Sequence, residues 1–240
     1  PDDLAALAGR IADADDLEQA FRALAIALPG EADVAREIGS DIDPDAIFAA
    51  REALARRIAE TNEGRFRALY ESLRDDGEYV PDATGAGRRA LRNALLDYLT
   101  LLDGGRTLAA AHFGDATNMT DRAAALTALT HRHPSSTQAD EALAAFEARY
   151  GTDPLVMDKW FMIQAGVPGP QTVETVRRLT AHRAFSMVNP NRVRALIGSF
   201  ANANQTGFHR ADGEGYRFFA EMVLEAERRN PQLAARLATA

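Results

Sequence analysis

The sequence contains no cysteine, which excludes disulfides and thiolate metal sites and fits a reducing compartment. Lysine is almost missing as well: of 27 basic residues only Lys159 is not arginine. No apolar run approaches the ~20 residues that a membrane-spanning helix requires. Strand-like alternation of apolar and polar residues is also missing, so a β-sheet core is not expected. The start, Pro1-Asp2-Asp3, has no basic region ahead of an apolar one, as a signal peptide would, and no initiator Met. A processed or excised chain is therefore expected.

What is present is ordinary for a globular protein: 240 residues, 46% hydrophobic and 26% charged, enough to bury a sizeable core. The net charge of -8 is unevenly spread. Residues 1–48 hold 12 acids against 3 arginines, whereas residues from 170 onward hold 10 arginines against 6 acids. An acidic front with a mildly basic rear argues against nucleic-acid binding, which gathers Lys and Arg into one strong patch.

Helical spacing dominates. A stripe of Leu4, Leu7, Ile11, Leu17, Phe21, Leu24 and Leu28 predicts helix over 2–28, interrupted near Asp15-Asp16. Residues 75–87, rich in Asp and Gly and containing Pro81, predict a loop. Helix is predicted from Arg88 to Leu102, with the glycines at 85, 87, 104 and 105 in loops or at helix ends. After a shorter helix over Thr107 to Phe113, Thr120 or Asp121 is the expected cap of Ala123 to His131, and Ser135 with Gln138 the expected capping box of the helix through Leu143, Phe146 and Tyr150. Four Asp/Asn-Pro pairs, at 43–44, 153–154, 189–190 and 230–231, each read as a cap followed by a first-turn proline. Short connections between about a dozen helices place neighbours antiparallel. The expected fold is all-α, an irregular α-solenoid or superhelical array of antiparallel helix pairs, HEAT/armadillo-like.

Motifs for self-contained chemistry are scarce. The five histidines, His112, His131, His133, His182 and His209, include no i, i+4 pair of the kind that holds zinc on a helix. His131 and His133 sit at a predicted helix end before Pro134. No G-x-S-x-G elbow or phosphate-cradling glycine loop is present. Asp212-Gly-Glu-Gly215 lacks the ligands of a calcium loop and reads as a capped turn. Trp160, Phe161, Phe200, Phe218 and Phe219 fall at helical spacing and read as core.

The stretch that organises the chain is Asn189-Pro-Asn-Arg-Val-Arg-Ala-Leu-Ile-Gly-Ser-Phe200. Val193, Leu196, Ile197 and Phe200 form its apolar stripe, and Arg192 and Arg194 point about 200° apart. One arginine is expected in the packed seam and the other toward solvent or a cavity. Together with Leu155-Val-Met-Asp-Lys-Trp-Phe161, this stretch resembles the C-terminal helical domain of bacterial zinc aminopeptidase N. Asp43-Pro44 before Arg51-Glu-Ala-Leu54, Asn118-Met-Thr-Asp121, His182-Arg-Ala-Phe-Ser186 and Arg229-Asn-Pro-Gln232 keep the family's order.

The resemblance implies one helical C-terminal domain over residues 1–240, trimmed at both ends, with 75–87 as the candidate internal boundary. It implies no cofactor in this chain, zinc being held by H-E-x-x-H in a catalytic domain that is not part of this sequence. It further implies a domain that caps the active-site cleft, limits access and lines the peptide channel of a cytoplasmic enzyme. Its partners would be the catalytic domain of the same polypeptide and the peptide substrate, with neither nucleic acid nor membrane. Matched motif by motif, the lining residues are Arg194, Gln232 and Arg236; catalytic and metal-ligating residues are none. The last two are four apart and share a helix face. The alternative is a free-standing helical-repeat scaffold that binds a partner protein.

Overall fold

The computed structural model describes residues 1–75, 77 and 79–239, and among these every regular element is helical. The fold is all-α and solenoid-like, with several successive helices packed on one another and the helix Gln19–Ala25 packed on the helix Ala83–Leu99. It divides into two compact units, Pro1–Gly30 with Ile47–Ala142, and Glu31–Ala46 with Leu143–Ala240. The loop expected over 75–87 lies inside the first unit; Asp76 and Glu78 of that loop are outside the described residues.

In the first unit, α1 (Asp2–Ala12) packs on α2 (Gln19–Ala25), and α2 on α5 (Ala83–Leu99). The break between α1 and α2 falls at the predicted Asp15-Asp16, but the buried face differs from the one expected. Leu4, Leu7, Phe21 and Leu24 are exposed, and the small residues Ala5, Ala8, Gly9, Ala12 and Ala23 are inside. Close approach is the reason. Asn62 of α4 (Pro44–Ser72) donates from Nδ2 to Ala5 O at 2.8 Å, and a Cβ on Gly9 would overlap its side chain. A leucine stripe turned inward could not sit that near to a neighbouring helix.

Helix α5 begins five residues earlier than expected, at Ala83, because Asp82 accepts from Gly85 N at 2.6 Å and caps it. Gly85 and Gly87 therefore lie within the helix, where a Cβ on Gly87 would come within 3.1 Å of Ala20 N of α2. Helix α6 (Gly105–Asp115) and α7 (Met119–Arg132) complete the packing of this unit. The cap of α7 is Asn118, not Thr120 or Asp121. Its Oδ1 accepts from Asp121 N at 2.9 Å while its Nδ2 donates to Asp121 Oδ2 at 2.8 Å. The cap of α8 (Thr137–Tyr150) is Ser136 rather than Ser135, with Ala139 N donating to Ser136 Oγ at 3.2 Å.

In the second unit the Asx-Pro starts behave as predicted. Asp153 accepts from Leu155 N and Val156 N and opens α9 (Pro154–Ala165); Asn189 accepts from Asn191 N and Arg192 N and opens α11 (Pro190–Val193). Asn230 accepts from Leu233 N and opens α15 (Pro231–Leu237); Asp43 accepts from Ala46 N in α4. α10 (Thr172–Leu179) packs on α9 and α14 (Glu214–Glu227), and α14 on α15. Phe161, Phe200 and Phe218 are fully buried and Trp160 nearly so, whereas Phe219 is half-buried. Asp212 Oδ1 accepts from Glu214 N at 3.0 Å, the capped turn expected there.

Candidate functional site

The two motifs that organise the sequence meet in the second unit. α11 runs on into a π-helical turn, Arg194–Gly198, and then α12 (Ser199–Ala203). The turn closes through Ser199 N–H to Arg194 O, five residues back, and packs against α9. Such turns insert one extra residue into a helix and frequently occur where function needs a side chain re-aimed. No sequence pattern predicts it here.

The two arginines separate as expected. Arg192 is buried; its Nη2 donates to Pro154 O at 3.1 Å and its guanidinium lies 5.0 Å from the centre of the Phe161 ring. Its Nε approaches Asp158 Oδ1 to 2.9 Å, an ion pair whose angle is too poor for a hydrogen bond. Arg194, two residues on, is exposed and donates from Nη2 to Asn191 Oδ1. Arg192 thus ties α11 to α9, and Arg194 carries its charge outward from that fixed base.

Gln232 and Arg236 are both exposed on α15, one turn apart. α15 packs on α14, whereas the turn bearing Arg194 packs on α9, α10, α11 and α12. Among the described residues no hydrogen bond or ion pair joins Arg194 to either of them. The structure therefore brings Gln232 and Arg236 together and leaves Arg194 on a separate part of the packing.

An aromatic and charged cluster that periodicity reads as plain core lies beside Arg192. Phe161 sits 5.6 Å from the His182 ring and 6.1 Å from Phe185, and Trp160 lies 5.1 Å from His182. His182 Nδ1 accepts from Ala184 N at 3.2 Å, which leaves Nε2–H to donate to Glu147 Oε1 at 3.2 Å. Arg183 also donates to that oxygen at 2.8 Å. The Arg183 hydrogen bond, with the neighbouring His182, holds the Glu147 carboxyl below the usual carboxylate range. The letters His182-Arg-Ala-Phe-Ser186 carry this cluster, but nothing in their spacing points to Glu147, 35 residues upstream.

A second polar cluster lies in the first unit. Tyr70 Oη is 2.7 Å from His112 Nδ1, and Arg92 lies over the Tyr70 ring at 4.5 Å. Burial, helped by the Arg92 charge, pushes His112 down to about 4. Burial also pushes Tyr70 up to about 12, so neither is ionised near neutral pH. His133 ends α7 as expected, with Nε2 3.0 Å from Thr100 O.

Among the described residues no three His, Asp or Glu side chains stand together as a metal-holding group. No helix among them is long and apolar enough to cross a membrane. Chemically, the arrangement can hold and aim charged side chains. Fold and site together define a helical-repeat domain whose polar groups position charge.

Comparison with known proteins places it further. Residues 1–240 match the family described as "Domain of unknown function (DUF3458_C) ARM repeats". The chain is 42% identical over 231 residues to aminopeptidase N of Caulobacter vibrioides, covering 95% of this chain and 26% of that protein. It is 39% identical over 228 residues to aminopeptidase N of Escherichia coli, covering 93% of this chain and 25% of that protein. Among solved structures it matches Legionella pneumophila aminopeptidase A in complex with aspartic acid, with a TM-score of 0.87 and 30% identity. That match covers 97% of this chain and 28% of the other. The chain belongs to the DUF3458_C family of ARM-repeat domains and is the C-terminal domain of an aminopeptidase N-like protein. It spans about a quarter of the length of the aminopeptidase N relatives named here.

Proposed function

We propose that this domain caps the catalytic cleft of a cytoplasmic zinc aminopeptidase, limits access to it and lines the peptide channel. Zinc and the bond-breaking groups belong to the catalytic domain of the same polypeptide. Hydrolysis removes amino-terminal residues from peptides, and this domain orients the far end of the substrate and excludes long chains.

The observation that supports this reading most directly is the contrast between Arg192 and Arg194. A buried arginine anchors the turn, and the arginine two residues on is held outward on it as an exposed cation. A guanidinium so placed suits the carboxylate at a peptide's C-terminus, through two parallel hydrogen bonds. Gln232 and Arg236 offer a second polar edge for the same task.

In the whole enzyme, Arg194→Ala is expected to raise KM for short peptides severalfold more than for aminoacyl anilides, which have no free carboxylate. Equal effects on both substrate types would refute the channel role. The 240-residue chain alone is expected to hydrolyse no aminoacyl anilide with or without added zinc. Zinc-dependent turnover by the pure chain would overturn the assignment of chemistry to another domain.

A further inference from the structure

The first unit holds a cleft of about 290 Å³ whose wall includes Tyr70, Arg74, Arg92, His112, Asp115 and Asp121. His112 is only 4% exposed, yet among the described residues its Nε2 has no hydrogen-bond partner. A buried imidazole nitrogen left unsatisfied destabilises the fold unless something reaches it. Because the Tyr70 phenol stays protonated, it donates to Nδ1, and the neutral imidazole then carries its proton on Nε2. Asp121 Oδ1 lies 4.0 Å from that nitrogen, too far for a direct bond. Asn93 and Asn118 hold the Asp121 carboxylate from two sides, at 2.9 and 2.8 Å, so it does not swing across the gap.

One atom at about 2.8 Å from both groups would subtend an angle of roughly 90°. To satisfy both, it must accept a hydrogen bond from Nε2–H and donate one to the carboxylate. A hydroxyl does both; a carboxylate cannot donate, and an ammonium cannot accept. The rest of the wall interleaves donors and acceptors of both signs, with Arg74 and Arg92 beside Glu71 and Asp115. A ligand of net charge would meet like charge somewhere on such a wall, whereas a neutral molecule with several hydroxyls finds a partner for each. Leu108, Ala111 and Ala116 add apolar surface against which the carbon face of such a molecule can rest.

We propose that this cleft binds a small neutral polyol, of glycerol to hexose size, with one hydroxyl bridging His112 Nε2 and Asp121 Oδ1. The site is independent of the channel role proposed above, and either reading stands if the other fails.

The test uses the full polypeptide carrying Thr117→Cys, since Thr117 is exposed on the cleft wall and this chain has no cysteine of its own. Modification by iodoacetamide is followed on the peptide that contains position 117. D-glucose is expected to slow it at least threefold and saturably, and glycerol to do the same more weakly. Sodium acetate and ethylammonium chloride at equal concentration are expected to give no protection. Adding His112→Gln or Asp121→Asn is expected to abolish the glucose effect, and either variant that folds suffices. Absence of protection by glucose, which is the result if the gap holds only water, overturns the proposal. So does undiminished protection in a folded variant, or stronger protection by either charged probe. The dose response in the otherwise unaltered protein decides if neither variant folds.

Discussion

Arg192→Ala offers the sharpest test of how the second unit is held together. The side chain is 5% exposed and lies against Asp158, Pro154 O and the face of Phe161. Truncation leaves the Asp158 carboxylate, itself only 17% exposed, without its counter-charge. Breaking a buried pair from one side costs ~3–5 kcal/mol, and the lower end applies because Asp158 keeps some contact with water. The lost cation–π contact with Phe161 lies within that figure and is not added to it. At about 2–4 °C per kcal/mol for a chain of this size, the melting temperature should fall by roughly 6–12 °C. Urea titration followed by Trp160 fluorescence reads the right region, because this single tryptophan lies 5.2 Å from Phe161. Asp158→Ala and the double variant complete the cycle. The double variant should cost ~2 kcal/mol less than the sum of the single ones, since it strands no charge. An Arg192→Ala protein within 0.5 kcal/mol of wild type, or strict additivity in the cycle, would refute the reasoning.

The remaining predictions concern the first unit. His112 binds its proton at about 4 when folded and near 6.5 when unfolded, so the unfolded chain carries the extra proton between those values. That contribution to stability is present above pH 6.5 and is lost as pH falls toward 4, by up to ~3 kcal/mol. Denaturation midpoints across that range should show the loss in wild type, and a flatter profile in His112→Asn. Gly105→Ala should be severely destabilising, because its Cβ would lie 2.2 Å from Leu99 O. Gly114→Ala in the same helix meets nothing within 4 Å and should stabilise by ~0.5–1 kcal/mol. Thermal melts of the two variants that moved in the same direction would contradict the packing described for α6.

What the letters determined is local. An Asx side chain caps the first turn wherever a proline follows it, because both acts use only neighbouring backbone. That is why all four Asx-Pro helix starts were legible, and why Arg192 and Arg194 were seen to point apart. The family motifs likewise placed the chain within aminopeptidase N-like proteins. Tertiary contacts decided the rest. Alanine and glycine, not the larger leucines, face inward on α1 because Asn62, 57 residues on from Ala5, approaches them closely. The extra residue in the turn at 194–198 follows no spacing rule, and Glu147 reaches His182 only through folding. His112 carried no motif at all. Its depressed pKa, its phenol partner and its unmatched nitrogen arise from burial among α4, α5 and α7, which no run of neighbouring residues encodes.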